Sequence, residues 1–160
     1  MTTTNDHAVP AQLSIGELID YTGKELGVSR WVSVTQAKVD AFAEATGTRQ
    51  RIDERAASTA FEGPIAHGFL TLALAPAMLA DILDLSGYEK AQNSGIDRLR
   101  FLAPVPVNSR IRLHVVVSDA QIKDNVGQIR LALTFEIQGT RKPACVATAL
   151  YHLIEGSDGH

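Results

Sequence analysis

An α+β fold, with an antiparallel sheet wrapped around one long buried helix, is predicted by three observations on the 160-residue sequence. Residues 67–83 are apolar nearly all round at helical spacing, which asks for cover on every side. Beyond Gly95 the apolar period becomes two. Ile111, Leu113, Val115 and Val117 alternate with Arg110, Arg112 and His114, and Ile129, Leu131, Leu133, Phe135 and Ile137 repeat the pattern. The length and the 45% hydrophobic content suit a single domain with a sizeable core. A buried helix followed by strands with one covered face packs as helix on sheet.

Each element has a local reason. Residues 1–12 (MTTTNDHAVPAQ) read as a mobile tail, residues 13–155 as one domain and residues 156–160 as a second tail. Ser14 and Glu17 stand three apart, as a capping box requires, and Leu18, Ile19 and Leu26 make a short amphipathic helix that stops before Gly27. Residues 29–34 (SRWVSV) are β-branched and aromatic and read as a strand; Thr35 is the N-cap of a second helix with Val39, Phe42, Ala43 and Thr46 on one face and Gly47 as its stop. Residues 48–52 form a loop that enters a helical turn over residues 53–60. Gly63-Pro64 breaks it, and the core helix follows. Residues 96–102 read as a strand ended at an edge by Pro104 and Pro106, residues 123–127 (KDNVG) as a hairpin turn, and residues 144–154 as the last strand.

Composition excludes several classes. Fifteen Lys and Arg against 18 Asp and Glu are spread along the chain, so no basic face marks nucleic acid or an anionic membrane as a partner. A lone cysteine, Cys145, makes neither an internal disulfide nor a cysteine-based zinc site and points to a reducing cytoplasm. No secretory signal is read at the start, and the longest apolar stretch, residues 68–80 (GFLTLALAPAMLA), is too short to span a bilayer. The five histidines show no metal-ligand spacing, and no cofactor is expected. His7 and His160 fall in the tails, and His114 on a strand reads as structural.

Residues 42–47 (FAEATG), 54–57 (ERAA), 63–74 (GPIAHGFLTLAL), 100–107 (RFLAPVPV) and 142–146 (KPACV) resemble, in order, the MaoC-like family, which includes R-specific enoyl-CoA hydratases. The stretch around Ile65-Ala66-His67-Gly68 is the most specific part. The resemblance implies a hotdog fold, a homodimer or a heterodimer with a related hotdog subunit, and an acyl-thioester or related substrate whose pantetheine arm reaches a site near the subunit interface.

It also implies a departure. In the hydratases the helix ending in Thr-Gly is followed by an Asp and, a few residues later, a His, which together activate water. Here Thr46-Gly47 is followed by Thr48, and the next stretch, Gln50-Arg51-Ile52-Asp53-Glu54-Arg55-Ala56, is shorter and lacks the His. Asp53 aligns with the Asp after that His, at a helix start. The pair therefore reads as lost, and Thr48 is no base near neutral pH.

The candidate catalytic residues are accordingly Asp53 and His67, and the candidate substrate contacts are Thr48, Arg49, Arg51 and Gly68. Asp53 is either a helix N-cap or a base, and His67 either a core histidine bonded to backbone or a base. Glu54 and Glu62 are solvated carboxylates or replacement bases. Arg49, Arg51 and Arg55 form a solvated cluster or recognise a carboxylate or phosphate at the site mouth. Gly68 serves close packing of the helix start or offers an N–H to a thioester carbonyl. Three functions compete: a hydro-lyase-derived enzyme with a replaced pair, a non-catalytic substrate-binding subunit of a heterodimeric hydratase, and a repurposed ligand-binding hotdog.

Overall fold

The computed structural model describes residues 9–48 and 63–157. Asp53, Glu54, Glu62, Arg49, Arg51 and Arg55, and the helical turn expected over 53–60, lie outside those residues.

The chain opens with α1 (Ile15–Asp20), closed at its start by the capping box: Ser14 Oγ accepts the Glu17 N–H at 3.1 Å, and Glu17 Oε2 accepts the Ser14 N–H at 2.7 Å. Ala11 and Gln12, assigned to the tail from sequence, are already tied down. Ala11 donates to Ile82 O and accepts from Asp84 N, each at 2.9 Å, and Gln12 donates to Asp84. Leu26, expected on the first helix, lies instead in β1 (Glu25–Val28). Gly23, at φ 82°, turns the chain out of the helix, and its N–H bonds Val117 O at 2.7 Å, which delivers the next residues to the sheet.

The strand expected over residues 29–34 is reduced to β2 (Val32–Ser33). Ser29 explains the interruption: its N–H bonds Leu113 O while its own hydroxyl takes the Leu113 N–H, both at 2.8 Å, so a side chain stands where the ladder would place a carbonyl. Then α2 (Gln36–Thr46) runs from its Thr35 cap to Gly47 at φ 75°, as the sequence predicts.

The single helix expected over residues 67–83 is two. After β3 (Ile65–Ala66), α3 spans Gly68–Ala73 and α4 spans Ala75–Leu79. Pro76 causes the break, because it has no N–H and its ring clashes with the carbonyl four residues back; it is accommodated in the first turn of a new helix. Cover is also incomplete: Leu70, Thr71, Met78 and Leu79 are buried, whereas Ala73, Pro76, Ala77 and Ala80 are exposed in the single chain.

The sheet takes up the rest: β4 (Tyr88–Phe101), β5 (Val105–Pro106), β6 (Arg110–Lys123), β7 (Val126–Ile137) and β8 (Cys145–Glu155). All pairings between strands are antiparallel. The order is β1-β6-β7-β8-β4, with β2 also on β6, and β3 pairs separately with β5. Asp124 and Asn125, both at positive φ, form the two-residue β6–β7 turn whose twist suits a hairpin. The predicted alternation holds, with Ile111, Leu113, Val115, Val117 and Phe135 fully buried in one cluster with Leu70, Met78 and Leu79. This is the α+β hotdog arrangement, with a broken rather than continuous central helix. β4 begins eight residues earlier than the strand expected at 96 and forms one edge of the sheet.

Candidate functional site

His67 and Gly68 stand at the junction of β3 and α3. His67 is the N-cap: its backbone is extended (φ −63°, ψ 135°), and its Nδ1 accepts the Phe69 N–H at 3.2 Å. A neutral imidazole that accepts through Nδ1 carries its proton on Nε2. The ring thus caps a helix, as in the backbone-bonded alternative of the sequence reading. It lies in an aromatic row, its centroid 5.5 Å from those of Phe42 and Phe69, with Phe69 edge-on to Phe101 at 5.5 Å.

Gly68 is pressed against this row. A Cβ placed on it would fall 2.9 Å from two carbons of the Phe101 ring. Its N–H, the first of α3, has no acceptor among the described residues. A cleft of about 410 Å³ opens beside it, lined by His67, Gly68, Phe69, Thr71, Phe101 and Val105 among others. The two phenylalanine rings are 54% and 46% exposed, so an apolar surface faces solvent at this cleft.

Thr71 lines the same cleft and was not singled out from the sequence. It is 2% exposed, and its Oγ1 is buried with no hydrogen-bond partner among the described residues. Leaving such a group unpaired costs about 1–3 kcal/mol. The available signal was a single hydroxyl in the apolar run of residues 68–80, three positions after Gly68. A second, apolar recess of about 120 Å³ lies between the helices and the sheet, with Pro76, Leu79, Leu133 and Tyr151 in its wall.

Thr48 is exposed at the end of α2. Its Oγ1 is 2.7 Å from that of Thr46, which in turn donates to Phe42 O at 2.7 Å. Thr48 and His67 are therefore both linked through Phe42, one by way of its carbonyl and the other beside its ring.

His114 belongs elsewhere, on the sheet face opposite the core. Its Nε2 and Arg112 Nε each lie 2.6 Å from Glu136 Oε2, and the Arg112 guanidinium stacks 4.3 Å over Trp31. Hydrogen bonds from Arg112, then from His114, hold the Glu136 carboxyl below its ordinary range. Burial pushes the Cys145 thiol up to about 11, so it stays protonated at neutral pH. Among the described residues no group of three potential ligands gathers for a metal, and no helix is long and apolar enough to cross a membrane.

The family model described as MaoC like domain matches residues 19–136. This chain belongs to the MaoC-like family. It is similar to 3-hydroxyacyl-thioester dehydratase Z of Mycobacterium tuberculosis, 39% identical over 145 residues that cover 88% of this chain and 96% of that protein. Among solved structures, the unliganded R-hydratase PhaJ1 from Pseudomonas aeruginosa matches with a TM-score of 0.70 at 25% identity, covering 89% of this chain and 86% of the other. The C-terminally truncated HadBC (3R-hydroxyacyl-ACP dehydratase) complex from M. tuberculosis shares the fold, with a TM-score of 0.64 at 12% identity over 79% of this chain and 94% of the other.

Proposed function

We propose that this MaoC-like chain binds an acyl-thioester in the cleft at the head of α3 and acts on it by a hydratase/dehydratase-derived reaction that does not use the family's Asp/His pair. The observation that carries this reading is the cleft itself: a largely apolar wall beside the unspent Gly68 N–H, with the unpaired Thr71 hydroxyl buried just behind it. The Gly68 N–H polarises the thioester carbonyl and stabilises the negative oxygen that forms when the α-carbon loses a proton, or when a nucleophile adds to the β-carbon of an enoyl thioester or to the carbonyl carbon. Thioester hydrolysis, isomerisation and cyclisation by conjugate addition all use that half of the site. Asp53, Glu54 and Glu62 are the proposed sources of a base, and Arg49 and Arg51 the contacts at the mouth. Thr48 contributes a hydrogen bond in place of a carboxylate.

The working unit in this proposal is a dimer. The β4 edge and the exposed apolar side of α3 and α4 are the surfaces a second hotdog subunit covers. A second reading, a non-catalytic subunit paired with a dyad-bearing partner, is favoured by the threonine at position 48 together with the capping role of His67.

Hydration of crotonyl-CoA, followed by loss of enoyl absorbance beside PhaJ1, tests the proposal. A positioned acid or base is worth about 10²–10⁴-fold, so the expected rate is at least about a hundredfold below the control. Thr48→Asp alone is expected to leave it there, because the histidine-bearing segment is also missing. Turnover comparable to PhaJ1 overturns the claim that the pair is dispensed with. Calorimetric binding of acyl-thioesters without turnover, and rescue on adding a related hotdog subunit, would favour the second reading.

A further inference from the structure

Thr71 has an unusual position for a helical threonine. Such a residue ordinarily gives its hydroxyl proton to the carbonyl four residues back. Here that carbonyl is His67 O, which already accepts from Leu70 N at 2.9 Å and from Thr71 N at 3.4 Å, so both of its lone pairs are engaged. Among the described residues the hydroxyl is left buried and unpaired, on a residue that lines the cleft. A residue three positions on lies on the same helical face, so Thr71 sits below Gly68, about 4.5 Å further along the axis.

We infer that Thr71 is a specificity-determining contact that selects acyl-thioesters carrying an oxygen on C3. The inference rests on the acyl-thioester reading above. With the thioester carbonyl on the Gly68 N–H, a chain running inward brings its C3 oxygen past Thr71. The rise from Gly68 to Thr71 is comparable to the reach between oxygens on alternate carbons of a chain. A turn about χ1, which a helical threonine allows, brings the Thr71 hydroxyl from its covered position to that oxygen as a donor. A chain without it leaves the hydroxyl buried and unpaired in the complex, and that difference discriminates.

The test uses acetoacetyl-pantetheine and butyryl-pantetheine, neither of which can gain or lose water, titrated by calorimetry into the full chain and its variants. The wild type is expected to prefer the acetoacetyl ester by about tenfold. Thr71→Val, which keeps the shape and drops the hydroxyl, is expected to lose that preference through weaker acetoacetyl binding alone, and Thr71→Ser to keep it. Thr71→Ala supplies the same comparison if the valine variant fails to fold. A preference that survives in Thr71→Val, or equal binding of both esters by the wild type, overturns the inference and leaves the acyl-thioester reading standing. Failure of the folded wild type to bind either ester overturns both. A lowered melting temperature in Thr71→Val with selectivity intact marks a structural hydroxyl and also overturns the inference.

Discussion

The β6–β7 hairpin and the head of α3 are both rich in apolar residues, yet they treat their hydrogen-bonding groups in opposite ways. In the hairpin the backbone groups pair along twelve registered positions, and the apolar side chains of one face are sealed in the core. At the head of α3, among the described residues, a hydroxyl is buried without a partner, an N–H is left over, and two phenylalanine rings stand half in solvent. The first region spends its polar groups on the fold. The second leaves them unspent, at a cost in stability.

Mutations should separate the two regions. The largest expected effect is in the hairpin: Phe135 is fully buried, and Phe135→Ala should lower the unfolding free energy by about 3–5 kcal/mol in urea titrations. Phe101→Ala, with nearly half the ring exposed, should cost about 1 kcal/mol or less by the same measurement while weakening acyl-thioester binding. If Phe101→Ala proves as costly as Phe135→Ala, the cleft is a piece of core and the contrast fails. The smallest effect is expected on the outer sheet face. The Glu136 pKa is lowered, first by the hydrogen bond from Arg112 and then by that from His114, so these bonds to the carboxylate contribute above its ordinary pKa of 4.5 and fade as pH falls through the folded value. Solvent screening at a pair about a third exposed keeps this below about 1 kcal/mol. Glu136→Gln should therefore flatten the acid side of the stability curve and leave ligand binding alone. An unchanged acid limb would show that the Arg112–Glu136–His114 cluster does not contribute to acid-side stability.

The same contrast decides what was legible in the sequence. Alternation from Ile111 to Ile137 is readable because one face is dry and the other wet, and the Ser14, Thr35 and Gly47 signals are readable because capping depends on neighbours in the chain. The first half of β4 escapes notice because residues 89–94 are exposed on both faces, which erases the period. The break at Leu74 is hidden by composition: residues on both sides of Pro76 are apolar, so the pattern continues where the helix does not. Gly68 and His67 are found through the resemblance of residues 63–74. Thr71 is not, since whether a hydroxyl is orphaned depends on how the lone pairs of His67 O are shared, and no spacing rule records that.

The two hydroxyls that end α2 have a definite polarity. Thr46 sends its only proton to Phe42 O, so the proton between Thr46 and Thr48 must come from Thr48. Each link points back toward the helix, and the outer end of the relay is a bare oxygen. The partial negative charge of the helix C-terminus is carried outward by two bonds. In this arrangement the outer Thr48 oxygen stands as an acceptor, matched to a group that brings its own proton, such as an amide, a hydroxyl or a water.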